Sequence, residues 1–193
     1  MSQFFTYLLL GFEHISDVKG FDHILYIITL CAVYKPTEWK KVAVLITAFT
    51  VGHSTTLALS ALKIVVFNAS VVEFLIPVTI FATSIHNLFY KPAKDSRAIS
   101  SNYFIALFFG FVHGMGFSNF FNALMGDGMA VVQPLFAFNL GLEVGQLLIV
   151  VSFFGLYLAI GFIRKINHAA WTYFFSGAGA GVALILIIER WPL

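Results

Sequence analysis

The sequence predicts an all-α polytopic membrane helical bundle, with six transmembrane spans and a short or re-entrant helix at the N-terminus. Three observations predict it. Charged residues make up 10% of the 193 positions, against roughly 25% in soluble globular proteins. Apolar residues make up 60%, 23 of them phenylalanine, and the mean hydropathy is +0.91. A water-soluble domain of this size has no interior large enough to hide that surface. Finally, the apolar residues fall into six stretches bounded by charges or turn residues. The chain reads as one integral-membrane domain over residues 1–193, with the lipid bilayer as its main partner. A net charge of +2 excludes a nucleic-acid binder, and a single cysteine excludes a disulfide-stapled secreted domain.

Each element follows from where the apolar runs begin and end. A span needs about 20 residues, with about 17–25 as the working range. An amphipathic piece, Phe4 to Ile15, is broken off by Ser16-Asp17-Val18-Lys19-Gly20. The first span, about 20–34, is too short to cross alone; the others run about 39–62, 69–90, 102–125, 133–162 and 169–188. Cuts fall at Lys35-Pro36, Lys63, Lys91-Pro92, Gly126-Asp127-Gly128 and Arg164-Lys165. An even number of spans puts both termini on one side. The loops after spans one, three and five carry eight basic residues (Lys35, Lys40, Lys41, Lys91, Lys94, Arg97, Arg164, Lys165), and the other side carries three (Lys19, Lys63, Arg190). The positive-inside rule then places both termini outside a cell (inner) membrane. The opening lacks a basic n-region and a small-x-small site, so no cleavable signal is expected. Cys31 reads as packing. Gly177-Ala178-Gly179-Ala180-Gly181 contains a GxxxG pair, which implies a close helix contact within the protomer or the seam of a homo-oligomer.

Ionisable groups inside a membrane are costly and face a cavity or one another. Span two carries His53, about 13 Å from the outer end at 1.5 Å per residue. Span four carries His113, about 18 Å deep, and span five carries Glu143, about 15 Å deep. Asn139, Glu143 and Gln146 are spaced i, i+4, i+7, one stripe of a helix. Glu73 opens span three, Asp22-His23 opens span one, and His14 precedes it. A lone intramembrane histidine is often only an interhelical hydrogen-bond donor. Here His14, Asp22, His23, His53, Glu73, His113 and Glu143 converge on the outer half, and four imidazoles with three carboxylates suit a first-row divalent metal. His86, thirteen residues after Glu73, is turned about 220° from that face and reads as packing. Asn87 falls within about 40° of it and is placed to line an inner exit. His168 reads as solvated.

Four ordered motifs carry a family resemblance. They are Gly11-Phe12-Glu13-His14 with Gly20-Phe21-Asp22-His23, then Thr47-Ala48-Phe49-Thr50-Val51-Gly52-His53-Ser54, then Gly110-Phe111-Val112-His113-Gly114, then Phe138-Asn139-Leu140-Gly141-Leu142-Glu143-Val144-Gly145-Gln146. Over nearly its whole length the chain resembles the HupE/UreJ family of hydrogenase and urease accessory membrane proteins. The resemblance implies a secondary permease for nickel and related divalent ions. It maps the family's first motif onto His14, Asp22 and His23, and its fourth-span motif onto His113-Gly114. Seven residues separate His14 from Asp22, where better-known members have five. The fourth-span motif has one His, where some members carry two.

Three functional readings follow. In the first, a permease, His14, Asp22 and His23 capture the ion, while His53, His113 and Glu143 hold it near the midplane with Glu73 as a neighbouring charge. Asn139, Gln146 and Asn87 line the path. Imidazoles without thiolates suit nickel, cobalt or zinc. In the second, an intramembrane zinc-dependent hydrolase, His53, His113 and Asp22 bind zinc and Glu143 activates water. In the third, a membrane partner protein holds a closed structural metal. The polarity of Ser84, Asn87 and Gln146 toward the inner side favours the permease.

Overall fold

The computed structural model describes residues 2–66, 68–89, 97–125 and 131–192. The boundaries expected at Lys91-Pro92 and Gly126-Asp127-Gly128, and the basic residues Lys91 and Lys94, lie outside the described residues. Among those described there are seven α-helices and no strand: α1 (Gln3–Ser16), α2 (Asp22–Cys31), α3 (Trp39–Ala61), α4 (Ala69–Phe89), α5 (Arg97–Met125), α6 (Val132–Ile163) and α7 (His168–Glu189), with a 3-10 turn at Pro36–Glu38.

Among the described residues, five segments are long and apolar enough to cross a bilayer: Pro36–Ala61, Ala69–Phe89, Asn102–Leu124, Val132–Ile163 and His168–Glu189. Each limit lies within three residues of the stretch read from hydropathy. The first expected span is different. Its helix, α2, has ten residues, about 15 Å against a hydrocarbon core of about 30 Å. Local chemistry shortens it at both ends. Before it, the Asp17 carboxylate accepts the Lys19 N–H at 2.8 Å, a side-chain turn that competes with helix. After it, Ala32 N–H donates to the Thr29 carbonyl and Tyr34 N–H to that of Cys31. These are three-residue closures that tighten the chain ahead of Lys35-Pro36.

The helices pack chiefly as three pairs, α3 with α5, α1 with α6 and α4 with α7, and α2 touches α1, α4, α6 and α7. Small residues set the spacing of two pairs. A Cβ on Gly11 would collide with the Phe138 carbonyl, and one on Gly141 with that of Leu8. Backbone contact this close is the means by which membrane helices gain packing energy. The inward-facing GxxxG pairs are Gly110 with Gly114, against Phe49 and His53 of α3, and Gly141 with Gly145, against Leu8 and Ile15 of α1. In α7, Gly177 and Gly181 have open space around them, and only Gly179 packs inward, against Thr29 and Ser84. Helix α7 starts where the Asn167 side chain accepts the N–H groups of Ala169 and Ala170. Cys31 is buried and free.

Candidate metal centre

Four histidines from four helices meet at one place. His14 lies in the last turn of α1 and His23 in the first turn of α2, so the break at Asp17–Phe21 folds them together with ring centroids 4.6 Å apart. His53 on α3 lies 5.8 Å from His14 and 6.1 Å from His23. One ligand nitrogen from each of these three lies within 4.8 Å of the other two. Metal–nitrogen bonds of about 2.1 Å hold such donors roughly 3–4 Å apart, so small side-chain rotations close the set. His113 on α5 is next to it, its ring 5.1 Å from that of His23. Gly114 permits this neighbourhood: a Cβ there would run into the Thr56 hydroxyl and the His53 carbonyl.

Hydrogen bonding leaves the inner nitrogens to spare. His53 is fully buried, and neither of its ring nitrogens has a protein partner; His14 Nε2, His23 Nε2 and His113 Nδ1 are likewise buried and unpartnered. A buried polar group left so costs about 1–3 kcal/mol, and the five nitrogens are free to accept a ligand. His113 is oriented by α4. The Thr79 hydroxyl donates to the Ile76 carbonyl at 2.7 Å, and a hydroxyl has one hydrogen. Its oxygen therefore accepts from His113 Nε2–H at 3.2 Å. The imidazole is thereby held as the tautomer whose Nδ1 lone pair is free. An aromatic wall completes the site: Phe117 packs on His14 at 3.9 Å between centroids, and Phe138 stacks on His53 at 6.3 Å.

The carboxylates divide. Asp22 and Glu73 line a cavity of about 390 Å³ that also touches His14, His23 and His113. Asp22 Oδ2 accepts from Arg190 Nη1 at 2.9 Å. Glu143 is not among the residues lining that cavity, and it accepts from the Thr47 hydroxyl at 2.8 Å. The reason is helical phase: α6 turns Phe138 toward His53, and a residue five positions on points about 140° away. Gln146 is buried against the Thr50 hydroxyl at 2.7 Å, and Asn139 Oδ1 is buried without a partner.

A family model for the HupE / UreJ protein matches residues 1–191. The chain belongs to the HupE/UreJ family. No curated protein and no solved structure matches it. Membership makes this a nickel- and cobalt-related accessory membrane protein, and the imidazole-rich, thiolate-free donor set is of the type such ions take.

In this HupE/UreJ protein the opposite end of the bundle holds a second cavity, of about 190 Å³, lined by Tyr34, Thr83, His86, Asn87 and Asn102 among apolar residues. Asn87 Nδ2 donates to the Thr29 carbonyl at 2.7 Å, closing the end of α2 onto α4. Between the two cavities Tyr26 is fully buried, stacked on Phe49 at 4.9 Å and 5.2 Å from the His113 ring. His168 is not a solvated surface group: its Nε2 lies 3.2 Å from the Val33 carbonyl and its ring packs on Tyr157. Sequence reasoning missed Thr79, Tyr26 and the pairing of Arg190 with Asp22. The spacing of Thr79, Thr83 and Asn87, four residues apart on one face of α4, is the signal that marks the first.

Proposed function

We propose that the protein is a membrane permease for a divalent transition-metal ion, nickel first and cobalt or zinc as chemically equivalent cargo. The observation that carries the reading is the meeting of His14, His23 and His53, with ligand nitrogens within 4.8 Å of one another, His23 and His53 buried and His14 half-buried. His113 completes the imidazole set. Asp22 and Glu73 at the mouth supply negative charge, which a dication leaving water requires. Cys31, eight residues beyond His23 on α2, takes no part.

The path leads from the histidines past Thr79 and Thr83 on α4 to the cavity at Asn87 and His86. Tyr26 with Phe49 and Phe109 forms the constriction between them. Helices α1 and α2 supply the sixth passage in two pieces. Their 14 and 10 residues, laid in series, reach about 36 Å, and an ion site at the break of an interrupted helix is a recurring transporter device. Glu143 and Gln146 form a polar seam between α6 and α3 through Thr47 and Thr50, with Asn139 on the same stripe of α6. The mouth faces outward and the Lys40–Lys41 end faces the cytoplasm.

The test is metal stoichiometry and nickel flux on the same proteoliposome preparation, wild type beside His23→Ala. Metal bound and carried by the wild type, with both lost in the variant, is the expected result. Full occupancy without flux in the wild type would overturn the permease reading in favour of a resident metal.

A further inference from the structure

The guanidinium of Arg190 lies across the mouth of the histidine cluster. Its Nη1 donates to Asp22 Oδ2 at 2.9 Å and reaches the main-chain carbonyl of Glu73 at the long limit of 3.5 Å. That carbonyl is available because Pro77, four residues on, has no N–H to bond it. Arg190, Asp22 and Glu73 line the same cavity as His14, His23 and His113. Asp22 Oδ1 is buried and unpartnered. The next residue, Trp191, rests edge-on against Phe74 at 5.3 Å, which ties the end of α7 to α4.

We propose that Arg190 is a tethered cation that holds Asp22 until a divalent metal ion displaces it, and so determines which ions enter. The proposal rests on the metal reading above. The Asp22 side chain is 13% exposed, and a carboxylate so placed is costly to leave alone. Arg190 neutralises it. A dication approaching His14 and His23 meets that positive charge beside the Asp22 carboxylate, and like charges in a partly desolvated mouth repel strongly. To gain Asp22 the ion must expel the guanidinium, which at 29% exposure has water to move into. The exchange replaces one positive charge with two, so a dication gains from it. A monovalent cation replaces a hydrogen-bonded charge with an equal charge that makes fewer contacts, and gains nothing. The selection is on charge, and it is made before the histidines select on chemistry.

The experiment measures nickel(II) and zinc(II) dissociation constants for the full chain in detergent, by competition with a chelating dye. Arg190→Gln should bind both metals about ten-fold tighter or more, with Arg190→Lys close to wild type and Asp22→Asn weaker. Arg190→Gln binding equally or less tightly, in protein with unchanged helix content and elution, overturns the proposal. A wild type that binds no metal overturns the reading beneath it; unchanged affinity in Arg190→Gln with a clear loss in His23→Ala overturns the Arg190 proposal alone. A second measurement leaves Arg190 intact. With Trp39 and Trp171 replaced by Phe, Trp191 is the sole indole, and zinc(II), which is spectroscopically silent, should shift its emission where potassium does not. No shift at saturating zinc also overturns it.

Discussion

Thr79 Oγ1 lies 3.2 Å from His113 Nε2, and because that hydroxyl spends its hydrogen on Ile76, it fixes which nitrogen of His113 carries the proton. Metal-binding imidazoles depend on such outer partners for orientation and basicity. Thr79→Val should therefore weaken nickel binding by about 10–100-fold, while Thr79→Ser keeps it. Chelator competition on the purified variants reads both, and equal affinity in Thr79→Val would show that His113 is oriented by something else.

His53→Ala and His23→Ala should each lower metal affinity by more than the roughly 10–100-fold that loss of an outer partner costs. His168→Ala should leave it unchanged, since that ring is engaged with the Val33 carbonyl and Tyr157. Titration calorimetry distinguishes them; binding retained by either deep variant would remove the site.

Gly114→Ala places a methyl group where the Thr56 hydroxyl and His53 backbone now lie. Overpacking of this kind costs about 1–3 kcal/mol, so the thermal midpoint in detergent should fall and metal affinity with it. Gly181→Ala meets open space and should change neither. The two alanines have the same chemistry, so a similar fall in both would point to glycine content rather than to the α3–α5 seam.

Glu143→Gln should leave metal affinity within a few-fold of wild type, because the carboxylate is spent on Thr47 rather than on the imidazoles. A loss comparable to that of His23→Ala would mean that the carboxylate reaches the ion during transport.

Orientation is open to a labelling test. A cysteine at Val66 should react with an impermeant thiol reagent on intact cells, and one at Lys40 should be protected. The native thiol, Cys31, is buried and gives no background. The reverse pattern would invert the direction of uptake.

Hydropathy alone located the five long apolar segments to within three residues, because a bilayer demands a minimum apolar length whatever packs beside it; helix α5 itself begins five residues earlier, at Arg97. The break after Ser16 was also legible, since Asp17, Lys19 and Gly20 carry their turn chemistry locally. So were His14, His23, His53 and His113 as candidates for one site, because buried imidazoles in so apolar a chain are conspicuous by their cost.

What the tertiary structure decided was how each helix is rotated about its own axis against its neighbours. Periodicity states which residues share a face, and nothing in one helix states which face turns inward. Hence the glycines of α7 were as eligible as those of α5 and α6, yet Gly177 and Gly181 face away while Gly114 and Gly141 lie against backbone. Hence also Glu143 shares a stripe with Gln146 but spends its charge on Thr47, whereas Arg190, 168 positions from Asp22 in the chain, closes on it. Contacts between residues so far apart depend on the sum of packing across several helices, and that sum is fixed only when all of them are in place.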